Sequence, residues 1–592
     1  MMASTQTVWA QLIASTLADA GVTVCVVSPG SRSTPLVAAL AREPRLARVT
    51  IIDERAAAFY ALGVARATGL PAALVCTSGT AAAHYLPAIA EASLAGVPLI
   101  ALTADRPPEL QQCGASQTMP QVGLYGSLVR GTFDLGAPVG SEASLRGLRR
   151  TVVQAITLAR GPAPGPVHLE VPLRKPLEPV APTTDAERDL AAYAARLAGP
   201  VAIAPPHLAA DPDAIARVAA LLAAEPDGLI VAGAMPVAFA AHGAAVRELA
   251  RRTGYPIVAE AGSQLRFAAR IDDVVFVEHF DVMAVTAMPV PRVIVQLGAD
   301  PVAASWPAVL ARAVAAGCRR VVLAGTTWSD PDSSAEVVLL GDVGAAAAAI
   351  AAAVPAHPDP LATSRAWQAL EVGAAMPVLR ALEAHPTSEA ALLRAALVGA
   401  PEGTTLQIGN SLPIRVMNQI AAWDERAVIT QRGVAGIDGL IASAAGATRA
   451  GRPVLLVLGD VSFVHDLGAL VAARTPGALL APLCVLVIDN GGGQIFAGLP
   501  VARADLGAAF EEHWLTPPGV DPVAVARALG IAAVRVESPG DVARAVATAL
   551  APVAGDSTRE HRVTVVHGPV SPSGARDVRR MAIELQAPGV TV

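Results

Sequence analysis

The stretch Leu455–Asp466, which reads LLVLGDVSFVHD, leads from an apolar run into a polar turn. The apolar residues continue without interruption up to Gly459 and Asp460. Such a run is typical of a parallel strand that is buried on both faces. Ligands of open parallel sheets bind beyond the carboxyl ends of the strands. The stretch therefore predicts an α/β fold with a polar site at Asp460.

The same alternation continues on both sides of this stretch. Short β-branched or leucine-rich runs alternate with alanine-rich helical segments throughout the 592 residues, which favours parallel sheets with crossover helices. Proline-rich segments near 172–188 and 354–364 are candidate linkers. We therefore predict three consecutive open, mostly parallel α/β domains, at 1–180, 190–360 and 375–592.

Composition and charge exclude several classes of protein. The net charge is −6 and no basic stripe occurs, so we expect no nucleic-acid partner. Five scattered cysteines form no CxxC pair, which argues against zinc and disulfides and fits a reducing compartment. The apolar runs are shorter than the roughly 20 residues of a membrane span, and no signal-peptide pattern opens the sequence. We therefore expect a cytoplasmic protein without a transmembrane segment.

A second strand pattern supplies a partner for Asp460. The run LCVLVIDNGGG ends on Asp489 and Asn490, followed by three glycines. If the two strands are neighbours, Asp460 and Asn490 converge on one cation, and Mg²⁺ prefers such oxygen ligands. Helix capping by Asp460 and a simple glycine turn are the alternative interpretation. The spacing of one strand-helix-strand unit favours the joint site.

Other charged residues also follow strand ends or begin helices. Glu54 stands at the start of a helix in VTIIDERAAAFYALG, where the helix dipole alone favours an acid. Four arginines follow strand ends or glycine-rich turns: Arg32, Arg106, Arg415 and Arg432. Arginine is the best bidentate partner for carboxylates, although each residue taken alone is equally compatible with a surface ion pair.

Several of these motifs resemble those of known enzymes. GDVSFVHD followed by DNGGG resembles the signature of thiamine diphosphate enzymes. Further stretches are similar to one family among them, the 2-succinyl-5-enolpyruvyl-6-hydroxy-3-cyclohexene-1-carboxylate synthases of menaquinone biosynthesis. These stretches are SPGSRSTPL (Ser28–Leu36), DERAAAFYALG, the segment Thr77–Gln117, IGNSLPIR (Ile408–Arg415), QRGVAGIDG (Gln431–Gly439) and GGGQIFAGLP (Gly491–Pro500).

The resemblance implies a transferase that depends on thiamine diphosphate and Mg²⁺, with Mn²⁺ as an alternative metal. Such an enzyme decarboxylates 2-oxoglutarate and adds the resulting carbanion 1,4 to isochorismate. The resemblance also implies a homodimer or homotetramer with active sites at the dimer interface. In the family, a pyrimidine-binding domain, a middle domain and a diphosphate-binding domain follow one another.

The resemblance also assigns roles to individual residues. Asp460, Asn490 and the carbonyl of Gly492 would hold the metal. Glu54 would hydrogen-bond the aminopyrimidine ring and promote its imino tautomer. Further contacts to the cofactor would come from Gly79, Thr80, Ile437, Gly459, Ser462, Ile495 and Phe496. Substrate binding and catalysis would involve Ser31, Arg32, Arg106, Gln117, Ser411, Arg415 and Arg432.

The sequence departs from the family in the middle domain. Many members carry a Lys-Arg pair there, whereas Leu297–Pro307 reads LGADPVAASWP and has no basic residue. Arg266 and Arg292 are candidate replacements. The alternative function is another thiamine diphosphate-dependent 2-oxoacid decarboxylase or carboligase, such as an acetolactate-synthase-like enzyme. A non-catalytic scaffold would lack Glu54, Asp460 or Asn490, and all three are present.

Overall fold

The computed structural model describes residues 3–361, 363–420, 425–551 and 563–586. These residues form three parallel sheets of six, five and six strands, which confirms the predicted fold class. The chain divides into two compact units. The first unit comprises residues 1–206, 431–451 and 466–481, and the second comprises residues 207–430, 452–465 and 482–592.

The first sheet lies in the first unit and has the strand order β2-β1-β3-β4-β6-β5. Its strands are β1 (Val24–Val27), β2 (Ala47–Thr50), β3 (Ala72–Cys76), β4 (Leu99–Asp105), β5 (Thr132–Asp134) and β6 (Val167–Pro172). Its helices are α1 (Ala3–Asp19), α2 (Thr34–Arg42), α3 (Glu54–Thr68), α4 (Thr80–Ala83), α5 (Leu86–Ala95), α6 (Glu142–Arg160) and α7 (Asp185–Arg196). Every residue of β3 and β4 is buried, as expected for central parallel strands.

The middle sheet lies in the second unit and has the order β11-β10-β9-β7-β8. Its strands are β7 (Gly228–Ala232), β8 (Ile257–Ala259), β9 (Val293–Leu297), β10 (Arg319–Ala324) and β11 (Val337–Leu340). Four helices accompany it: α8 (Pro212–Ala224), α9 (Gly243–Thr253), α10 (Trp306–Ala315) and α11 (Val343–Ala353).

The third sheet also lies in the second unit, with the order β13-β12-β14-β15-β17-β16. Its strands are β12 (Thr405–Ile408), β13 (Val428–Thr430), β14 (Val454–Gly459), β15 (Leu483–Asp489), β16 (Ala532–Arg535) and β17 (Val563–Pro569). Strand β17 is given from Val563 onward, because residues 561–562 lie outside the described residues.

Ten helices follow the middle sheet along the chain. They are α12 (Arg365–Ala384), α13 (Glu389–Gly399), α14 (Leu412–Met417), α15 (Leu440–Ala447), α16 (Asp460–His465), α17 (Ala469–Arg474), α18 (Ala508–Phe510), α19 (Pro522–Ala528), α20 (Pro539–Leu550) and α21 (Gly574–Gln586). Of these, α15 and α17 belong to the first unit. A single π-helical turn, Glu511–Leu515, follows α18.

The first and third sheets share one topology. When the strands of each sheet are numbered from its own first strand, both orders read 2-1-3-4-6-5. The order reverses between β1 and β3 in one sheet and between β12 and β14 in the other. Ligands bind at such a reversal, beyond the carboxyl ends of the strands. Both sheets therefore offer a crevice at the place where the sequence concentrates its polar motifs.

The pairing of β14 with β15 brings the predicted metal ligands to one edge. The two strands run parallel, with Leu458 opposite Val487 and Gly459 opposite Ile488. Leu455 and Val457 pack into the core of the third sheet together with residues of α13 and α20. Burying each of these side chains contributes about 1.5–3 kcal/mol, which fixes the register and therefore the position of the residues that follow both strands.

Candidate active site

Asp460 lies in a buried and hydrogen-bonded position beyond β14. It is 5% exposed. Its Oδ1 accepts the Val461 N–H at 2.9 Å, and its Oδ2 accepts the Gly492 N–H at 2.7 Å. Burial raises the pKa of Asp460 to about 6 and the charge of Asp489 adds to the rise, while the two backbone hydrogen bonds oppose it. A cation bound here would stabilise the ionised form.

Asn490 follows the neighbouring strand β15 and is also buried. Its Oδ1 is enclosed and has no hydrogen-bond partner among the described residues, and leaving such an atom unpaired is costly. No group of three His, Cys, Asp or Glu side chains among the described residues is arranged to hold a metal ion. A carboxylate, an amide oxygen and a backbone carbonyl are nevertheless suitable ligands for Mg²⁺, so Asp460, Asn490 and Gly492 fit this ion.

Asp489 has partners of its own beside this site. Its Oδ2 lies 2.9 Å from Nε2 of His567 on β17, and its Oδ1 accepts the Gly491 N–H at 3.2 Å. The hydrogen bond to His567 is the main cause that lowers the pKa of Asp489. Asp489 therefore remains ionised next to the more deeply buried Asp460.

The glycine loop after Asn490 packs closely against the π-helical turn. Gly492 has φ +113°, and a Cβ added there would lie 2.1 Å from the Leu515 carbonyl oxygen. The Gly493 N–H donates to the same oxygen at 2.6 Å. Ile495 and Phe496 follow in partly buried positions. Only glycine at position 492 allows this approach of the two backbones, and the loop is thereby fixed next to Asp460.

Four further predicted residues of this region lie on α16 and α14 or directly before these helices. Ser462 of α16 is 5% exposed, and Gly459 ends β14. Ser411 follows β12 with φ +71°, a conformation that is uncommon for a residue other than glycine. Arg415 of α14 donates from Nη1 to the Ser411 carbonyl at 2.8 Å. Strained backbone of this kind clusters at functional sites.

On the first sheet, Arg32 lies beyond β1 and is 4% exposed. Its Nη1 donates to the Leu173 carbonyl at 2.7 Å, whereas its buried Nε has no hydrogen-bond partner among the residues that the structure describes. Burial is the main cause that lowers the pKa of Arg32, and the charge of Arg106 lowers it further. Two guanidinium groups thus lie close together, while the neighbouring Ser31 is exposed.

The turn after β3 holds Gly79 in a conformation that favours glycine, with φ +85°. The Gly79 N–H donates to Oε1 of Gln121 at 2.8 Å, and Thr80 begins α4. Gln117 donates from Nε2 to the Ser78 carbonyl at 2.9 Å, and the Ser78 hydroxyl donates to the Gln117 carbonyl at 3.0 Å. Gln117, itself at φ +56°, is therefore held next to Gly79.

Arg106 follows β4 beside a pair of buried carboxyl groups. Its Nη2 donates to the Ser116 carbonyl at 2.9 Å, and its backbone N–H donates to Oδ1 of Asp105 at 2.7 Å. Asp105 and Glu170 lie close enough for the Glu170 charge to raise the pKa of Asp105, and burial is the main cause that raises the pKa of each to about 7. Gln121 donates to Glu170 at 3.0 Å. The carboxyl pair is thus linked both to Arg106 and to the Gly79 turn.

Glu54 is the first residue of α3. The preceding Asp53 caps this helix by accepting the N–H groups of Arg55 and Ala56 at 2.9 and 3.3 Å. Glu54 is partly exposed, and its charge raises the pKa of the buried Tyr85, a minor cause beside burial. The cap therefore leaves the Glu54 carboxylate available.

The segment with Ile437 is anchored within the first unit. The N–H groups of Gly433 and Val434 donate to the two carboxylate oxygens of Glu91 at 2.9 and 2.7 Å. A Cβ added at Gly439 would overlap the Phe59 ring of α3 at 1.9 Å. The segment thus packs on the helix that Glu54 begins. Ile437 and Arg432 are partly buried within it.

Asp466 holds the amino end of α15. Its Oδ2 accepts the N–H groups of Ile441 and Ala442 at 2.7 and 3.1 Å. Burial raises the pKa of Asp466 to about 7, against the influence of these hydrogen bonds and of the nearby Arg55. The residue fixes the helix that follows the Ile437 segment.

The predicted substitutes for the missing Lys-Arg pair lie elsewhere. Arg266 is buried and donates to the carbonyls of Ala259, Glu278 and Ile420, so its guanidinium serves the packing of the second unit. Arg292 is exposed and precedes β9, at the opposite end of that strand from Leu297. Other arginines contact this stretch: Arg320 of β10 donates from Nη2 to Oδ1 of Asp300 at 3.3 Å, and Arg579 of α21 donates to the Ser305 hydroxyl at 3.2 Å.

The predicted residues therefore form two groups. Gly459, Asp460, Ser462, Asn490 and Gly492 lie together beyond the third sheet. Arg32, Arg106, Gln117 and Gly79 lie together beyond the first sheet. Sequence reasoning missed the residues that support them: Gln121, Glu170, Glu91, Asp466 and Glu389. Each of these acts on a residue that is distant in sequence, and the quoted motifs that contain Glu91 and Asp466 give no sign of those contacts.

Among the described helices, none combines the length and the apolar character that a bilayer crossing requires. A cavity of about 730 Å³ lies between α6 and residues 197–203, and its described lining includes none of the predicted site residues.

Comparisons with known proteins match two parts of the chain to domain families and most of its length to named relatives. Residues 8–124 match the model of the thiamine pyrophosphate enzyme N-terminal TPP binding domain, and residues 412–567 match that of the C-terminal TPP binding domain. The chain is 41% identical over 560 residues to a 2-succinyl-5-enolpyruvyl-6-hydroxy-3-cyclohexene-1-carboxylate synthase of Sorangium cellulosum, covering 91% of this chain and 90% of the relative.

Two further comparisons agree with this relationship. A synthase of the same name from Roseiflexus is 36% identical over 548 residues, covering 89% of this chain and 90% of the relative. The crystal structure of benzoylformate decarboxylase from Polynucleobacter necessarius superposes with a TM-score of 0.68 at 17% identity, covering 95% of this chain and 98% of that one. At that identity the likeness concerns the fold alone.

Proposed function

The chain belongs to the 2-succinyl-5-enolpyruvyl-6-hydroxy-3-cyclohexene-1-carboxylate synthase family, and from this membership we propose the reaction and the roles of its residues. The enzyme decarboxylates 2-oxoglutarate and adds the resulting four-carbon unit 1,4 to isochorismate, in the menaquinone pathway. It is a transferase that depends on thiamine diphosphate and Mg²⁺, with Mn²⁺ as an alternative metal. When bound, thiamine diphosphate accepts the electron pair that decarboxylation releases.

The metal site is the part of this proposal that rests most directly on geometry. Asp460 and Asn490 follow adjacent strands, and the buried Oδ1 of Asn490 has no hydrogen-bond partner in the part of the chain that the structure describes. Together with the carbonyl of Gly492 they would hold Mg²⁺ and, through it, the diphosphate. Gly459 and Ser462 would line the diphosphate site, and Ile495 and Phe496 would form an apolar wall beside it.

Glu54 is the group that we assign to cofactor activation. A carboxyl that hydrogen-bonds the aminopyrimidine ring favours the tautomer that removes a proton. Its position at the start of a capped helix, with Asp53 serving the helix instead, supports this role. Gly79 and Thr80 would contact the same ring, and Ile437 would support the bent shape of the cofactor.

The arginines would bind the carboxylates of the two substrates. The like charges of Arg32 and Arg106 lie close together, and Nε of Arg32 is buried without a hydrogen-bond partner among the described residues. A bound anion would offset the repulsion between the two charges and accept a hydrogen bond from this nitrogen. Arg415, Arg432, Ser31, Ser411 and Gln117 would complete the contacts to the substrates. Charge-assisted, bidentate contacts of this kind orient a substrate as well as bind it.

Two further properties belong to the proposal. We propose a homodimer or homotetramer with active sites at the dimer interface, because the family resemblance implies it. A cytoplasmic location agrees with the lack of cysteine pairs in the sequence.

One assay tests the proposed reaction. Purified protein is mixed with Mg²⁺, thiamine diphosphate, 2-oxoglutarate and isochorismate, and the loss of isochorismate absorbance is followed while mass spectrometry identifies the product. We expect consumption that requires all four components. Cofactor binding without loss of isochorismate, but with turnover of pyruvate or another 2-oxoacid, would refute the substrate assignment and leave the cofactor assignment intact.

A further inference from the structure

One acidic side chain outside the predicted site is enclosed beside the proposed metal ligands. Glu389 is the first residue of α13 and is 2% exposed. Both of its carboxyl oxygens are buried, and within the described ranges neither has a hydrogen-bond partner at bonding distance. The carboxyl faces the side-chain amide of Asn490, and Asp460 is close enough for its charge to act on it.

The helix dipole alone does not account for this burial. An acid in the first turn is stabilised by the helix N-terminus, but such residues ordinarily remain in water. Glu142, the first residue of α6, has a side chain that is 60% exposed, and Asp185, the first residue of α7, one that is 92% exposed. Enclosing a carboxyl group without a partner is costly, so Glu389 requires a further reason for its position.

The position of Glu389 is fixed by its surroundings. The preceding Ser388 caps α13 by accepting the Ala391 N–H at 3.1 Å. The Ser571 N–H donates to the Thr387 carbonyl at 2.9 Å, and a Cβ added at Gly574 would lie 2.9 Å from Ser388 Cα. The amino end of α13, where Glu389 lies, is therefore fixed by the packing of backbone on backbone.

The chemistry of an asparagine ligand supplies the reason. An asparagine side chain binds a metal ion through its amide oxygen. The amide nitrogen of the same side chain then points away from the metal and needs a hydrogen-bond acceptor. Groups that hold a ligand in this way orient it and strengthen metal binding. We propose that Glu389 is a positioning residue, whose carboxyl accepts the Asn490 Nδ2–H and so keeps Oδ1 directed toward the metal. Ionised or protonated, the carboxyl retains an acceptor oxygen, so the role holds in either state.

This inference rests on the metal site proposed above, and the experiment separates the two. Glu389→Gln keeps the shape and an acceptor oxygen, whereas Glu389→Met keeps the length and removes the acceptor. Thiamine diphosphate binding to the full-length apoprotein is measured by calorimetry over a range of Mg²⁺ concentrations. Thermal unfolding of each apoprotein, without metal or cofactor, serves as the folding control.

We expect Glu389→Met to raise the apparent Kd for Mg²⁺ about 10–100-fold, and Glu389→Gln to stay within about threefold of wild type. In an Asn490→Ala background, Glu389→Met should add no further loss, because the two residues act through one ligand. If the Met variant unfolds early, Glu389→Ala replaces it. Where neither acceptor-free variant folds, the Gln variant alone must retain wild-type Mg²⁺ affinity.

Three results would overturn the inference. The first is wild-type Mg²⁺ affinity in a folded acceptor-free variant. The second is an equal loss in the Gln variant, which would make the charge the cause. The third is additive losses in the Asn490→Ala background. An unchanged Mg²⁺ requirement of Asn490→Ala alone would instead refute the metal site itself.

Discussion

The first and third sheets have the same strand order but carry opposite chemistry at the same edge. Beyond β1 and β3 lie the buried Arg32 and the Gly79 turn, and beyond β14 and β15 lie Asp460 and Asn490. The residues that directly follow these strands thus include a buried guanidinium at one edge and buried oxygen ligands at the other. The comparison teaches that the topology decides where a ligand binds, whereas the few residues after each strand decide what binds.

The largest expected effect separates activation of the cofactor from its binding. Glu54→Gln should lower kcat by about 10²–10⁴-fold, because an amide cannot exchange a proton with the aminopyrimidine ring. The affinity for Mg²⁺ and thiamine diphosphate should stay near that of wild type, since the metal ligands belong to the third sheet. Steady-state kinetics and calorimetry measure the two quantities.

The matched control for this variant is Glu142→Gln, at the same first-turn position of α6. Its exposed side chain should leave kcat unchanged. Near wild-type turnover of Glu54→Gln would show that the role given to Glu54 is wrong.

The next effect concerns substrate recognition at both edges. Arg106→Ala and Arg415→Ala should each raise KM for 2-oxoglutarate or isochorismate about 10–100-fold, since a hydrogen bond to a charged group contributes about 1.5–3 kcal/mol. Neither variant should alter the Mg²⁺ requirement. Arg188→Ala, in an exposed pair with Asp185, is the control. Unchanged kinetics for both substrates would remove the arginine concerned from the site.

A smaller effect tests the backbone of the third-sheet edge. Gly492→Ala should destabilise the protein by about 1–3 kcal/mol, because φ of +113° is strained for alanine and its Cβ would meet the Leu515 carbonyl. It should also weaken Mg²⁺ binding, since the Gly492 N–H holds Asp460.

Gly491→Ala is the matched control for Gly492→Ala. It too has a positive φ, +76°, but its Cβ would meet nothing within 4 Å. Thermal unfolding and a Mg²⁺ titration should therefore rank the 492 variant below the 491 variant. Equal behaviour of the two would mean that the close approach to Leu515 has no role.

The carboxyl edges of the two sheets also show which parts of the fold and of the site can be predicted from the sequence. Asp460 and Asn490 were predictable because each directly follows an apolar strand. Two parallel strands of one sheet place the residues that follow them at the same edge. The short β5 and β16 escaped prediction, since three or four mixed residues carry little pattern. Glu389 escaped because an acid after a serine looks like any helix start. Its burial against Asn490 depends on packing between distant segments.

A titration effect is expected at the first-sheet edge. Burial raises the pKa of Glu170 to about 7, above its ordinary value near 4.3. Between about pH 4 and 7 the folded protein therefore keeps a proton on Glu170 that the unfolded chain has already released. The stability of the folded protein therefore falls as the pH rises through that interval. Glu170→Gln cannot ionise, and its stability relative to wild type should rise by about 1–3 kcal/mol from pH 5 to pH 8.

Chemical denaturation at the two pH values measures this change. Glu109→Gln is the control, because Arg174 lowers the pKa of the exposed Glu109 to about 2. That variant should show no change relative to wild type between pH 5 and pH 8. A flat difference for Glu170→Gln as well would mean that Glu170 is ionised in the folded protein throughout this range.

The smallest expected effect tests whether a basic residue contributes to substrate recognition only when it lies at the carboxyl edge of the sheet. The middle sheet has the order 2-1-3-4-5 when numbered in the same way, yet the stretch after β9 has no basic residue. Arg292 is a cation of that strand but precedes it. Arg292→Ala should therefore leave both KM values within about twofold of wild type, because a screened surface charge contributes at most about 1 kcal/mol.

Arg579→Ala, at the carboxyl edge through Ser305, is the companion variant. A larger rise in KM for Arg292→Ala than for Arg579→Ala would show that the position of a charge along the strand does not govern substrate recognition in this sheet.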